Sequence, residues 1–187
     1  EIAGAVKKVR PTVLLLSGGG NDILGESLPS FLAEQFADAL EGEQPERYFG
    51  ASFSAELDSI MDMYRTIFDY LKVEYPALKI VTHSYDYPRP VEFKSKKRNW
   101  IGQYLDKKGI ERAGDRAALV RHMLDQFNTR MKNLSDEYPG QVFHLDLRKS
   151  VRDNQWDDEI HPDNAGFQNV STQFVRLVSS LVTAPEG

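Results

Sequence analysis

The 187-residue sequence contains no cysteine, which excludes disulfide staples, thiolate nucleophiles and cysteine-based metal sites together. That absence leaves the compartment open, since reduced and secreted proteins alike can lack cysteine. No apolar run approaches the roughly 18 residues that a membrane-spanning helix needs, so no transmembrane segment is expected. The opening residues, Glu1-Ile2-Ala3-Gly4-Ala5-Val6, contain no Met and lack the charged, apolar and small-residue regions of a signal peptide. A chain that opens in mid-pattern is expected to be a processed product or a fragment. Positive charge is also in deficit. Against 28 acidic residues stand 23 basic ones, a formal net charge of −5, which argues against nucleic acid or an anionic membrane as partner. Repeats and low-complexity stretches are missing too. What is present is an ordinary globular composition, 41% hydrophobic and 11% aromatic, enough for a real core and too apolar for disorder. One domain over residues 1–187 is the expectation.

Hydrophobic periodicity divides the chain into alternating strands and helices. Residues 2–9 read as the end of a helix broken by Pro11. The continuous apolar run Val13-Leu14-Leu15-Leu16, bounded by Pro11 and Gly18-Gly19-Gly20, predicts a central parallel strand buried on both faces. Leu28, Phe31, Leu32, Phe36 and Leu40 fall at helical spacing. Ser54 is the expected cap of a longer helix carrying Leu57, Ile60, Met61, Tyr64, Ile67, Phe68 and Leu71, ended by Pro76. A strand over Leu78–Thr82 precedes an irregular stretch, 84–98, with Pro88, Pro90 and the basic run Lys94–Arg98. A helix over 116–135, with Val120, Met123, Leu124, Phe127, Met131 and Leu134 on one face, leads to a strand over Val142–Asp146. Pro162 is expected in the first turn of a closing helix with Phe167, Val170, Phe174, Leu177, Val178 and Leu181 inside. Such alternation predicts an α/β domain with a parallel sheet and right-handed crossovers. Sites in such sheets form at the carboxyl ends of strands, here Ser17–Asp22, His83–Tyr87 and Asp146–Arg148.

Two turns carry candidate chemistry. In Ser17-Gly18-Gly19-Gly20-Asn21-Asp22 the glycines let the backbone bend sharply and approach a ligand, and the Asn21 amide suits an oxyanion. A plain strand-to-helix turn accounts for the same residues. It is not a phosphate loop, because no Gly-Lys-Ser/Thr follows. In Trp156-Asp157-Asp158-Glu159-Ile160-His161-Pro162, Asp158 and His161 lie three apart, so the carboxylate can hold one ring nitrogen and leave the other as a general base. Asp157, Asp158, Glu159 and His161 are all metal-ligand types, though no second His lies nearby, and the acids also fit helix-end electrostatics. His83, His122 and His144 read as structural. Tyr85-Asp86-Tyr87-Pro88-Arg89-Pro90 is a Pro-stiffened loop able to wall a pocket; a turn with two exposed tyrosines is the plainer alternative.

Gly19-Gly20-Asn21-Asp22 after an apolar strand, with Asp158-Glu159-Ile160-His161-Pro162 before the last helix, resembles the SGNH (GDSL-type) hydrolase family. Gly-x-Asn-Asp is that family's third block and Asp-x-x-His-Pro its fifth, and their order and separation of about 140 residues agree. Leu15–Leu24, Ser84–Pro90, Asn99–Leu105 and Trp156–Phe167 look like a bacterial branch with a Tyr-Asp-Tyr-Pro loop, so the likeness covers nearly the whole chain. The resemblance implies a flavodoxin-like, three-layer α/β/α fold and hydrolysis of a small-molecule ester by a Ser-His-Asp triad, without metal or cofactor. By it His161 is the general base, Asp158 orients that base, and Asn21 with Gly19 lines the oxyanion hole; Gly20, Tyr85 and Tyr87 are expected against the substrate. The family's first block, Gly-Asp-Ser with the nucleophile, does not occur in residues 1–187, and only about twenty residues precede Asn21. The expectation is therefore the C-terminal portion of a hydrolase domain, lacking its first strands, with the serine supplied by an N-terminal segment or a second chain. Ser17 and Ser84 end strands but lack the nucleophile's own strand-to-helix turn. A catalytically inactive SGNH-like domain that binds a ligand or partner is the alternative, and an unrelated flavodoxin-like binding domain a third.

Overall fold

The computed structural model describes residues 1–33, 45–90 and 100–183. Three strands form one parallel sheet in the order β1-β2-β3: β1 (Val13–Leu15), β2 (Lys79–His83) and β3 (Val142–Leu145). Leu14 faces Ile80 across the first ladder, and Val81 faces Phe143 across the second. The helices are α1 (Ile2–Val9), α2 (Gly20–Ile23), α3 (Leu28–Phe31), α4 (Ala51–Glu74), α5 (Gly102–Lys107), α6 (Ala113–Asp136) and α7 (Asn164–Thr183). The molecule is thus a mixed α/β fold with a small parallel sheet. No helix among the described residues is long and apolar enough to cross a membrane.

The core forms where the apolar stripes of α4 and α6 meet the sheet. Leu57, Ile60, Phe68 and Leu71 from α4 and Leu119, Val120, Met123, Phe127 and Met131 from α6 are all buried. Beneath them, Ile80, Val81 and Thr82 of β2 are fully buried. A ring such as Phe127, deleted to Ala, would cost about 3–5 kcal/mol by leaving a cavity that its neighbours cannot close.

Five expectations need correction. The apolar run 13–16 does not form the central strand. β2 is central, β1 is outermost among the described residues, and Leu15 is 53% exposed. A continuous apolar run records that a strand is built for burial, not which neighbour is at hand to bury it. The long helix α4 starts at Ala51 with Gly50 as its cap, not at Ser54, whose Oγ instead accepts from Arg130 Nη2 at 2.8 Å. The helix expected from Leu28 stops after Phe31, because Leu32 turns into an antiparallel bridge with Phe49; Phe36, Leu40 and the basic run 94–98 lie outside the described residues. Pro162 is not in the first turn of α7. It bridges Trp156, and Asp163 caps the helix by accepting from the Gly166 N–H at 2.8 Å. The apolar stripe of α7 is also only partly covered. Phe167 is 51% exposed, and Val170, Phe174, Leu177, Val178 and Leu181 are half-buried.

Candidate functional site

The loops leaving the carboxyl ends of β1, β2 and β3 meet around one cavity of about 730 Å³, lined among others by Gly19, Gly20, Asn21, His83, Tyr85 and His161. A wider cleft of about 990 Å³ opens on the other side of Asn21 and His161, between Glu26 and Tyr104. Asn21 and His161 therefore stand at the junction of two open spaces, where one molecule can touch both.

The first wall comes from the glycine turn. Gly19 has φ +88°, the left-handed region, and a Cβ there would lie 3.0 Å from both Ile60 Cγ2 and Phe127 Cε2. Only glycine lets the chain turn this sharply while pressed on the α4–α6 core. Tyr85 closes over the next residue: a Cβ on Gly20 would meet its ring at 3.0–3.2 Å. The Tyr85 hydroxyl lies 3.3 Å from Ser17 Oγ. Tyr87 sits apart from this cavity; its hydroxyl donates to Asp125 Oδ1 at 2.6 Å, and it lines a neighbouring hollow.

The second wall is the turn before α7. Asp158 accepts the Nδ1–H of His161 at 2.8 Å (Oδ2) and 3.0 Å (Oδ1), the backbone N–H groups of Ile160 and His161 at 2.9 and 2.8 Å, and the Trp100 indole N–H at 3.1 Å. Burial raises the carboxyl's pKa, but the hydrogen bonds from His161, from the two backbone amides and from Trp100 outweigh it and hold the group below its ordinary value. The charge is thus fixed as carboxylate. With its Nδ1–H committed, His161 keeps Nε2 as the basic nitrogen, and its side chain is 48% exposed at the cavity edge. The Trp100 ring stands against the imidazole edge-on, at 5.5 Å and 79°.

Three supporting residues escape a sequence reading. Glu159 does not act as a helix-end charge. It is buried and accepts the N–H groups of Ile101 at 2.7 Å and Gly102 at 3.0 Å, which ties the turn before α7 to the start of α5. Gly102 leaves room for that carboxylate, since a Cβ would lie 2.6 Å from Glu159 Oε1 and 2.8 Å from the Pro90 carbonyl. Trp100 is the second, and no spacing in the sequence links it to Asp158. Asp86 is the third; it accepts the N–H groups of Tyr87, Lys149 and Val151 at 2.6–2.7 Å and so ties the loop after β2 to the loop after β3. A short acid between two tyrosines before a proline is the only sequence signal it gives.

The remaining histidines differ in setting. His83 lines the cavity, donates Nδ1–H to the Ser84 carbonyl at 2.7 Å, and has its pKa lowered by burial. His144 lies between Thr82 Oγ1 (3.2 Å) and Asn128 Oδ1 (2.7 Å), with burial pushing its pKa down to about 4. His122 stacks on Phe49. Ser84 is fully buried, donating to Asp146 Oδ1 and accepting from the Leu147 N–H. Among the described residues no three His, Asp or Glu side chains converge as a metal site would require.

No family model matches the chain, and no curated protein matches it. Among solved structures it is similar to a protein from Streptococcus pneumoniae described provisionally as a platelet activating factor, at 13% identity and a TM-score of 0.52. The likeness covers 93% of this chain and 88% of that one, and at such an identity it is a likeness of fold.

Proposed function

We propose that the chain carries the His-Asp and oxyanion half of an ester-hydrolysing site, in a domain of flavodoxin-like, three-layer SGNH type. The observation that carries this is the Asp158–His161 pair. A carboxylate fixed by four donors holds the imidazole by Nδ1, and Nε2 is left at a cavity that Asn21 shares. In an acyl transfer His161 takes the proton from an attacking serine and returns it to the leaving alcohol, while Asp158 keeps the ring oriented and stabilises the imidazolium. The Asn21 amide and the Gly19 N–H then bind the oxyanion of the tetrahedral intermediate, and Gly20 and Tyr85 flank the acyl group. The similar fold of a protein described as a platelet activating factor is compatible with a hydrolase.

The nucleophile is expected from outside residues 1–187, delivered along the outer edge of β1 by a preceding segment or a second chain. That edge has no strand partner among the described residues, and Leu15 on β1 is 53% exposed. A second reading, an inactive domain of the same architecture that binds a ligand or partner, is favoured by the serines themselves: Ser84 is buried and committed to Asp146, and Ser17 faces Tyr85. Hydrolysis of 4-nitrophenyl acetate by the protein, together with any segment encoded before residue 1, decides between them. The enzyme reading requires turnover that His161→Ala abolishes and EDTA leaves intact. Turnover that survives His161→Ala, or that EDTA removes and a divalent ion restores, overturns the triad; a wild-type protein without turnover leaves the binding domain.

A further inference from the structure

Beside the cavity shared by Asn21 and His161 lies a smaller hollow of about 320 Å³, and the two have Asp86, Pro88, Val151 and Trp156 in common as lining. Its walls carry three cations, Arg89, Arg121 and Lys149, and two carboxylates, Asp86 and Asp153. The carboxylates are already engaged. Asp86 accepts three backbone N–H groups, and Asp153 meets Arg89 Nη1 at 3.1 Å. Arg121 is different. Its guanidinium lies over the Tyr87 ring at 4.5 Å from the centroid, and no ion pair joins it to another described residue. The nearby Asp125 already accepts the Tyr87 hydroxyl at 2.6 Å and Arg148 Nη1 at 2.5 Å. Stacking leaves the edge of a guanidinium, with its N–H fork, open to a second partner. Lys149 adds another exposed cation at the same rim, on a residue held at φ +65° by its own N–H bond to Asp86. The frame is rigid. Pro88 and Pro90 flank Arg89, whose N–H donates at 2.8 Å to the carbonyl of Glu159, two residues from His161.

We propose that this hollow binds a compact anionic group, a carboxylate or a phosphate, through Arg121 and Lys149. In a protein with net charge −5 a hollow whose three cations outnumber its two carboxylates is a local feature, which favours one small anion over a polyanionic surface. Taken with the ester-hydrolysing site above, on which this step rests, the shared wall makes the preferred substrate an ester that carries a negative charge a few bonds from the scissile carbonyl. Anion binding itself needs no catalysis.

The test has a binding arm and a turnover arm. Inorganic phosphate is titrated with the protein and its ³¹P line width followed, with ¹³C-acetate titrated in parallel to rank phosphate against carboxylate. Saturable broadening, weakened about ten-fold or more by Arg121→Gln and less by Lys149→Gln, is expected from loss of a charge-assisted hydrogen bond. His161→Ala should bind as the wild type does. No saturable broadening by either anion, or wild-type affinity retained in both cation variants, overturns the site. In the turnover arm, run on the protein together with any segment encoded before residue 1, kcat/KM for 4-nitrophenyl hemiglutarate is divided by that for 4-nitrophenyl butyrate, and the ratio should fall toward one in Arg121→Gln; an unchanged ratio removes the link to the substrate. Anion binding that depends on Arg121, without hydrolysis of either ester, upholds the subsite and overturns the ester-hydrolysing site instead.

Discussion

Asp158 concentrates four donors on one carboxylate, and the consequences differ for each residue of the site. On the proposed function, His161→Ala removes the proton acceptor and should abolish ester turnover. Asp158→Ala leaves a base that is free to rotate, so kcat should fall by about two orders of magnitude less than with His161→Ala. Asn21→Ala should lower kcat about 10²–10³-fold with little change in KM, the pattern of a donor engaged in the transition state rather than the ground state. Steady-state kinetics on one activated ester checks all three, and an Asn21→Ala effect confined to KM would move that side chain from oxyanion to substrate contact. The Asp158–His161 contact was legible in the sequence because a spacing of three on one turn lets a carboxylate reach an imidazole. Trp100 and Glu159 were not, since each acts across 57 or 58 residues and only the closed fold brings them in.

At the scale of elements, α4 and α6 were legible because twenty-four residues of 3.6-residue periodicity are a strong signal, and both extend a little beyond the predicted spans. The place of β1 in the sheet was not, because an apolar run is the same sequence at a sheet's centre and at an edge waiting for a partner. The edge of β1, without a strand partner among the described residues, has a measurable cost. Residues 1–187 expressed alone should self-associate, and Leu15→Lys should reduce light scattering at equal concentration by putting a charge on the exposed edge. No difference between the two would mean that the edge is already protected. The junction of α5 with the turn before α7 makes a second element-scale prediction. Gly102→Ala places a methyl 2.6 Å from Glu159 Oε1, so it should cost about 1–3 kcal/mol and lower turnover although residue 102 lies outside the cavity. Chemical denaturation alongside kinetics would separate the two losses.

For the whole molecule, pH acts through buried histidine. The folded pKa of His144, about 4, lies below its ordinary value of 6.5, because burial disfavours the imidazolium. Between those values the unfolded chain binds the extra proton, so stability must fall as pH drops from about 6.5 to 4, by about 3 kcal/mol from this residue. Asp146, held by Arg148 at about 2, extends the loss in the same direction below pH 4. Denaturant midpoints measured from pH 7 to 4 should decline, and His144→Gln should flatten that decline; an unchanged slope would assign it to other groups. A last consequence follows from the two carboxylates that tie the loops together. Asp86 and Glu159 accept the amides of Lys149, Val151, Ile101 and Gly102, partners 57 to 65 residues away in the chain. In deuterium exchange those four amides owe their slowing to side chains on other loops rather than to a helix or a ladder. Replacing either carboxylate should unmask its own pair of amides at a distance, so isotope uptake at 101–102 and at 149–151 reads out, separately, whether each seam of the site is closed.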